Sequence, residues 1–228
     1  MSAKDIILKP IPSKIANEFV KKHHYSWKVV NNSQLHFWVF YKWILWGVMS
    51  YWPSTVKSNL IWLVEWTWWN EFIELNRMAF SDLLPKYSES RAIAISIKLL
   101  KKKAPHLKWI ISFSDGCQCW DWTIYRASGF ELSEIKKNKG MYDLWNGEVV
   151  SGLCIGDWKS SLSKRKAFLW IHSKKDFLDR EYPNWKLLNW FMLRYIKHLK
   201  PNLKRNYEIL PYSKIEEMGA KMYMWKKL

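Results

Sequence analysis

Glycine is scarce in this chain. Its 228 residues include only 8 Gly, where average usage of about 7% would give roughly 16. Cysteine is scarcer still, at three. The odd count, with Cys117 and Cys119 too close together to pair comfortably, argues against a disulfide scaffold and for a reducing cytoplasm. No stretch approaches the run of about 20 apolar residues that a membrane span needs. Met1 to Pro10 lacks the apolar core of a secretory signal. No internal repeat, low-complexity linker or clear domain boundary is visible. Acidic residues are outnumbered, 20 Asp and Glu against 37 Lys and Arg, which leaves a net charge of +17. An excess of that size points to a polyanion partner, nucleic acid first, rather than to a merely soluble basic surface.

Tryptophan is what the chain has in excess, with 18. Many of these stand where Gly is expected. Trp66, Trp68 and Trp69 share one polar turn. Trp120 and Trp122 flank Asp121 in a loop, Trp43, Trp46 and Trp52 lie in and around a hairpin, and Trp225 sits in a Lys-rich tail. Bulky aromatics suit neither tight turns nor positive φ. Some of these positions are therefore expected to come from a codon read as Trp in this translation and as something smaller in the organism. The alternative is a genuinely Trp-rich protein that stacks on bases.

The pattern reads as α/β. Ile6 to Ile11 is a short apolar segment ending in Pro, an edge strand. Ser13 caps a helix over Lys14 to Lys22. That helix runs into His23, His24, Tyr25 and Ser26, which form either a satisfied surface turn or a site with acid/base capacity. Leu35 to Tyr41 and Leu45 to Tyr51 form a hairpin, and Leu60 to Val64 suits a further strand. Phe72 to Met78 alternates as a strand with one wet face. By that count Glu74 and Asn76 share one face, and Arg77 falls on the apolar face with Ile73 and Leu75. An Arg there is costly unless paired or functional. A helix runs from Ser88 to about Lys103, its basic end matching the helix dipole. The strand Lys108 to Phe113 follows, and strand, helix, strand favours parallel neighbours. Asp115 closes this strand just before a helix over Thr123 to Ser128. A carboxylate at the carboxyl end of a buried strand is where open α/β sheets place ligands, although a turn or cap role is the bland alternative.

Beyond Phe130 the chain reads as basic and polar. Val149 to Ile155 is a strand or connector, Lys159 to Lys166 a basic loop, and Phe168 to Ile171 a short apolar segment. Pro183 opens a second helix with Leu188, Phe191, Tyr195 and Leu199 on one stripe. Lys197, His198, Lys200, Lys204 and Arg205 gather near its end, as a solvated face or a phosphate-facing patch.

Several segments in this order carry a resemblance. They are His24-Tyr25-Ser26, Gly47-Val48-Met49-Ser50-Tyr51, Glu74-Leu75-Asn76-Arg77-Met78, Ser88-Glu89-Ser90-Arg91, Ser112-Phe113-Ser114-Asp115, Thr123 to Phe130, Pro211 to Ala220 and Met222-Tyr223. Together they resemble the Mom family of phage and prophage proteins, which modify adenine in DNA. The resemblance implies a fold similar to GNAT acyltransferases, a mixed central sheet flanked by helices. Residues 1–135 would be the catalytic core and residues 136–228 a basic C-terminal region packed on it.

The implied reaction is transfer of a small acetamide or methylcarbamoyl-type group to N6 of adenine in double-stranded DNA, protecting phage or prophage DNA from restriction in the cytoplasm of a bacterial host. Asp115 would accept or orient the N6 proton. Arg77 would fix an anionic or carbonyl group. Tyr25 and Tyr125 would stack on or hydrogen-bond to an extruded adenine. His24, Ser26 and Ser90 are second choices for acid/base and hydrogen-bonding roles. Lys136, Lys137, Lys139, Lys164, Arg165, Lys204 and Arg205 would grip phosphates without reading sequence. Acetyl-CoA or a related donor is implied, yet Arg77 to Ser90 contains no Gly for the usual pyrophosphate turn. Trp120 and Trp122 also stand where the family carries small residues. His23, His24, Asp115 and Cys119 follow no fixed ligand spacing, so a metal such as iron stays an open alternative. Two other readings compete: a GNAT-type N-acyltransferase acting on a protein or small amine, and a non-catalytic DNA-binding module.

Overall fold

A computed structural model describes residues 3–24, 33–54, 57–115, 123–138 and 140–220. A 3-10 turn at Ala3–Asp5 leads into β1 (Ile6–Pro10), α1 (Ser13–His23), β2 (Leu35–Tyr41) and β3 (Ile44–Trp52). Next come α2 (Lys57–Leu60) with a 3-10 turn at Ile61–Leu63, β4 (Phe72–Phe80), α3 (Ser88–Lys103), β5 (Trp109–Asp115), α4 (Thr123–Ala127) and β6 (Glu131–Asn138). The rest is β7 (Met141–Asp143), β8 (Val149–Ser151), α5 (Gly152–Gly156), α6 (Ser161–Phe168), α7 (Lys174–Glu181), β9 (Lys186–Leu187), β10 (Trp190–His198) and α8 (Ser213–Glu217). Among the described residues, no helix is long and apolar enough to cross a membrane.

The strands form a seven-stranded sheet in the order β1-β2-β3-β4-β5-β10-β6 and a three-stranded sheet in the order β8-β7-β9. β1 to β4 make an antiparallel meander, and β4 and β5 are parallel. The mixed central sheet flanked by helices that the sequence implied is therefore present. Contacts divide the chain into two compact units, Met1–Ile135 with Leu193–Leu228, and Lys136–Met192. The second has its own core of Leu144, Val150, Ile155, Phe177 and Leu178.

In the first unit, helices cover both faces of the sheet. Val48 of β3 and its partner Ala79 of β4 pack against Ala16 and Val20 of α1. Tyr51, three residues on and so on the opposite face, donates to or accepts from Ser96 of α3 at 2.6 Å. Under α2 and its 3-10 turn, Phe72 stacks on Trp109 with ring centroids 4.3 Å apart. The Trp109 indole N–H donates to Thr67 Oγ1 at 3.3 Å.

Three expectations are corrected. Pro183 opens no helix: β10 occupies residues 190–198, where Trp190, Phe191, Leu193, Tyr195 and Ile196 are all buried. A strand inserted between β5 and β6 is covered on both faces, so its apolar residues do not alternate and imitate a helical stripe. Leu60 to Val64 is helical, apart from an isolated bridge from Val64 to Arg205. Lys159 to Lys166 is largely α6, capped by Ser160, whose hydroxyl accepts from Ser163 N–H. The segment after Phe130, read only as basic and polar, forms β6, with buried Leu132, Ser133 and Ile135 between its charges. In addition, Pro12 rather than Ser13 holds the N-cap of α1.

Trp109→Ala should lower the unfolding free energy by about 3–5 kcal/mol, measured by urea denaturation, because it removes both the stacked ring and the Thr67 bond.

Candidate active site

The geometry starts from one extra residue in β4. Ser50 pairs with Arg77, but Tyr51 pairs with Leu75, so Asn76 bulges. Directly paired residues share a face, and Ser50 and Tyr51 point to opposite faces. Arg77 therefore leaves the face of Leu75, where simple alternation had put it, and joins Glu74, the partner of Trp52. This is the face that α1 covers. A second consequence follows from the parallel pair. β4 and β5 pair only over Phe72–Trp109, Ile73–Ile110 and Glu74–Ile111. Beyond that point the Ser112 hydroxyl donates to Leu75 O at 2.8 Å in place of backbone pairing. Continued alternation puts Asp115 on the face of Ile111, and hence of Glu74 and Arg77.

His24 follows the last turn of α1 and is buried, 7% exposed. Burial, reinforced by the nearby Arg77 charge, lowers its pKa to about 4. Burial pushes the Glu74 carboxyl above its ordinary range, against the pull of Ser54, Trp52 and Arg77. The Arg77 Nη1 donates to Asn76 O at 3.4 Å, while its buried Nε has no hydrogen-bond partner among the described residues. A buried, unspent guanidinium N–H costs about 1–3 kcal/mol and is suited to an oxygen of a ligand. Around this group runs a polar strip. His36 Nδ1 lies 2.8 Å from Ser50 Oγ and its Nε2 3.1 Å from Ser33 O. Asn76 Nδ2 donates to Ser33 Oγ at 2.9 Å.

The register thus puts Glu74, Arg77 and Asp115 on one face, with His24 near enough to Arg77 to feel its charge; Glu74 and Arg77 lie within β4, and Asp115 ends β5. Sequence reasoning missed Glu74 because it was assigned to a wet face; its spacing of three from Arg77 becomes a same-face relation only across a bulge. Tyr125 lies elsewhere. It is buried, stacked on Tyr195 at 4.5 Å, with its hydroxyl 2.8 Å from Ser112 Oγ, on the opposite face. Ser90 is in the first turn of α3, where its hydroxyl donates to Tyr87 O at 3.1 Å. Tyr25, Ser26, Cys119, Trp120 and Trp122 lie outside the described residues.

A cavity of about 780 Å³ opens at the start of α3, lined by Lys4, Lys86, Tyr87, Ser90, Arg91 and Ser128 among others. Three cations beside a helix N-terminus fit an anionic group such as a pyrophosphate. No group of three or more metal-capable side chains occurs among the described residues. His23 is exposed and stacks on Phe19 at 4.2 Å, away from buried His24.

The basic residues differ in how free their charges are. Lys136 and Lys137 are exposed, with Lys137 Nζ 6.0 Å from the Phe191 ring. Lys164 is exposed on α6, whereas Arg165 is paired with Glu181 at 2.5 Å. Lys204 meets Glu65 at 2.8 Å, and Arg205 holds Glu131 through two bonds of 2.9 and 2.6 Å. Lys139 lies outside the described residues.

The chain matches the Mom protein family over residues 5–214. It belongs to that family. The Methylcarbamoylase mom of Escherichia phage Mu is 32% identical over 130 residues, covering 57% of this chain and 54% of the phage protein. That match spans about half the length of the relative. Among solved structures, an N-acetyltransferase from Staphylococcus aureus covers 86% of this chain and 99% of its own, with TM-score 0.49 and 9% identity. A Bacillus subtilis acetyltransferase in complex with CoA covers 86% and 98%, with TM-score 0.47 and 12% identity.

The His24 imidazole should titrate near pH 4, followed by NMR. Because the unfolded chain binds that proton near pH 6.5, it holds more protons than the folded chain between the two values. Stability should therefore fall as pH drops through this window, by up to about 3 kcal/mol. Arg77→Gln should raise the His24 value while leaving it below 6.5, since burial is the larger cause.

Proposed function

We propose that this chain is a phage-type DNA-modification transferase that places a small acetamide or methylcarbamoyl-type group on N6 of adenine, so that the DNA resists restriction. Family membership supports DNA modification, and the name of the phage Mu relative supports the group transferred. The observation that carries the reading is half-buried Arg77, whose Nε–H is buried and unspent, beside His24 and Glu74 on the face that also holds Asp115.

Adenine N6 is a poor nucleophile, because its lone pair is delocalised into the ring. Its attack needs an activated acyl carbon and a nearby group to take its proton. Asp115 is assigned the proton. His24 stays neutral at pH 7, given its pKa of about 4, so it accepts hydrogen bonds without adding charge. Arg77 stabilises the oxygen on which negative charge develops, at a desolvated position where such a contact counts most. Glu74 orients the guanidinium. Tyr125 and Ser112 brace β5 from the far face rather than meeting the base. A thioester related to acetyl-CoA whose carbonyl already carries the methylamino nitrogen would supply the activated carbon: N6 attacks it, the carbon–sulfur bond breaks and the thiol leaves, whereas acetyl-CoA itself would give only an N6-acetyl group. Lys4, Lys86 and Arg91 would hold the donor's phosphates, through side-chain charge in place of a Gly-rich turn.

The partner in this reading is double-stranded DNA inside a bacterial host, with the target adenine extruded from the helix. Lys136 and Lys137 are the cations on which phosphate gripping rests. Lys204 and Arg205 are already engaged by Glu65 and Glu131.

Nucleoside mass spectrometry on DNA from cells expressing the chain should reveal a heavier adenine species. Asp115→Ala and Arg77→Ala, each soluble, should reduce it by about a hundredfold or more. Unmodified adenine with soluble wild-type protein would reject this reading and favour an acyltransferase acting on a protein or small amine. Lys136→Ala with Lys137→Ala should weaken DNA binding across all sequences and lower the salt slope by about 2, read by fluorescence anisotropy.

A further inference from the structure

Seven non-glycine residues among those described hold a left-handed backbone, and four of them are tryptophan: Trp43 (φ 66°), Trp66 (φ 55°), Trp145 (φ 62°) and Trp170 (φ 58°). Trp makes up 18 of the 228 residues, so chance would place fewer than one in such a set. In this region the Cβ of an L-residue crowds its own carbonyl, and bulky side chains are outliers there.

Positions 170 and 43 carry a further, independent signature of glycine. Helix α6 ends in a Schellman motif: Ile171 N–H donates to Lys166 O at 3.2 Å, and Trp170 N–H to Ala167 O at 3.0 Å. Helix α4 ends in the same pair of bonds, Phe130 to Tyr125 at 3.0 Å and Gly129 to Arg126 at 2.9 Å. So does α8, with Ala220 to Ile215 and Gly219 to Glu216, both at 2.9 Å. There the left-handed residue is Gly129 (φ 68°) or Gly219 (φ 66°), as the motif favours. In α6 the same place holds Trp170.

Lys42 (φ 49°) and Trp43 are the two loop residues of the β2–β3 hairpin, closed by the Tyr41–Ile44 pair. Positive φ at both marks a type I′ turn, whose second residue is characteristically Gly. Trp145 begins the β7–β8 turn, two residues before Gly147 (φ 89°). Trp66 lies in the turn after Val64.

Little offsets the strain: Lys9 Nζ lies 5.2 Å from the Trp43 ring and Lys186 Nζ 4.4 Å from the Trp145 ring, and such contacts at exposed sites contribute only about 0.5–1 kcal/mol. These side chains are 73%, 87%, 59% and 86% exposed for Trp43, Trp66, Trp145 and Trp170, so they gain little from burial. Trp109, fully buried against Phe72, shows what a tryptophan chosen for its ring looks like in this fold.

We propose that positions 43, 66, 145 and 170 are glycine in the protein as its own host makes it. The codon at these places is one that the host reads as Gly and this translation renders as Trp. UGA, which variant genetic codes assign to either residue, is such a codon. Trp109 belongs to the other class and is tryptophan in both.

Two measurements decide the matter. In the full chain, Trp170→Gly should raise the Tm by roughly 2–4 °C over both the starting chain and Trp170→Ala. The alanine variant removes the exposed ring but keeps the left-handed strain. Trp43→Gly should behave likewise, and Trp109→Gly should lower the Tm. A glycine variant no more stable than its alanine counterpart would overturn the backbone argument. Peptide mass spectrometry of the protein from cells that naturally encode it should find Gly at all four positions and Trp at 109. Finding Trp at the four would overturn the proposal and leave Trp43, Trp66, Trp145 and Trp170 as native exposed aromatics.

Discussion

The bulge at Asn76 is the constraint on which the candidate site depends. A strand is a strict two-fold alternation, so one inserted residue exchanges the faces of everything after it. Without it, Arg77 would point with Leu75 toward the α3 side, where Tyr51 and Ser96 bond in a dry environment. With it, Arg77 turns to the α1 side and meets Glu74 and the exit of α1 at His24. The parallel pair adds the second element. β4 and β5 separate after Glu74 and Ile111, and a strand end that stops pairing leaves room between its carboxyl-terminal arms. Arg77 and Asp115 stand on the two arms of that fork.

Burial then sets the protonation states. His24 and Glu74 are both pushed toward their neutral forms by loss of water, and Arg77 acts on them in opposite senses. Its charge reinforces burial at the imidazole and opposes it at the carboxyl. The site therefore has one fixed cation, one imidazole that does not charge at neutral pH, and one carboxyl whose ionisation leans on the guanidinium. Such a set is consistent with holding developing negative charge rather than with binding a stable anion alone.

Much of the fold was legible because its signals were local. The hairpin at 35–52, the helix from Ser88 to Lys103, and the strand carrying Trp109 to Phe113 all follow from periodicity, and Pro105, two residues past Lys103, is a residue that cannot continue the helix. The edge position of β1 follows from its Pro. Residues 190–198 were misread because a doubly covered strand loses its alternation, and Leu188, Phe191, Tyr195 and Leu199 fit a 3.6-residue period equally well. The face of Arg77 was misread for a different reason. A bulge is a property of two strands together, and nothing in Glu74-Leu75-Asn76-Arg77 alone reveals it. Tyr125 looked available for a ligand in sequence, yet its partner Tyr195 lies seventy residues away and fills its ring face.

The scarcity of glycine connects to the way an anion can be held at α3. A Gly-rich turn binds phosphate by exposing successive backbone N–H groups, which requires left-handed residues at no steric cost. Here the residue before α3 is left-handed, but it is Tyr87 (φ 69°), and it has no side-chain cap bond. The helix N-terminus keeps its positive dipole end regardless of which residue precedes it. What the loop lacks in backbone donors, Lys4, Lys86 and Arg91 supply as charge around the same cavity. Recognition by flexible cations tolerates a less defined phosphate geometry than a backbone cradle does, and it weakens with salt. If this cavity takes the donor as proposed, its affinity should depend on ionic strength more steeply than it would on a glycine turn.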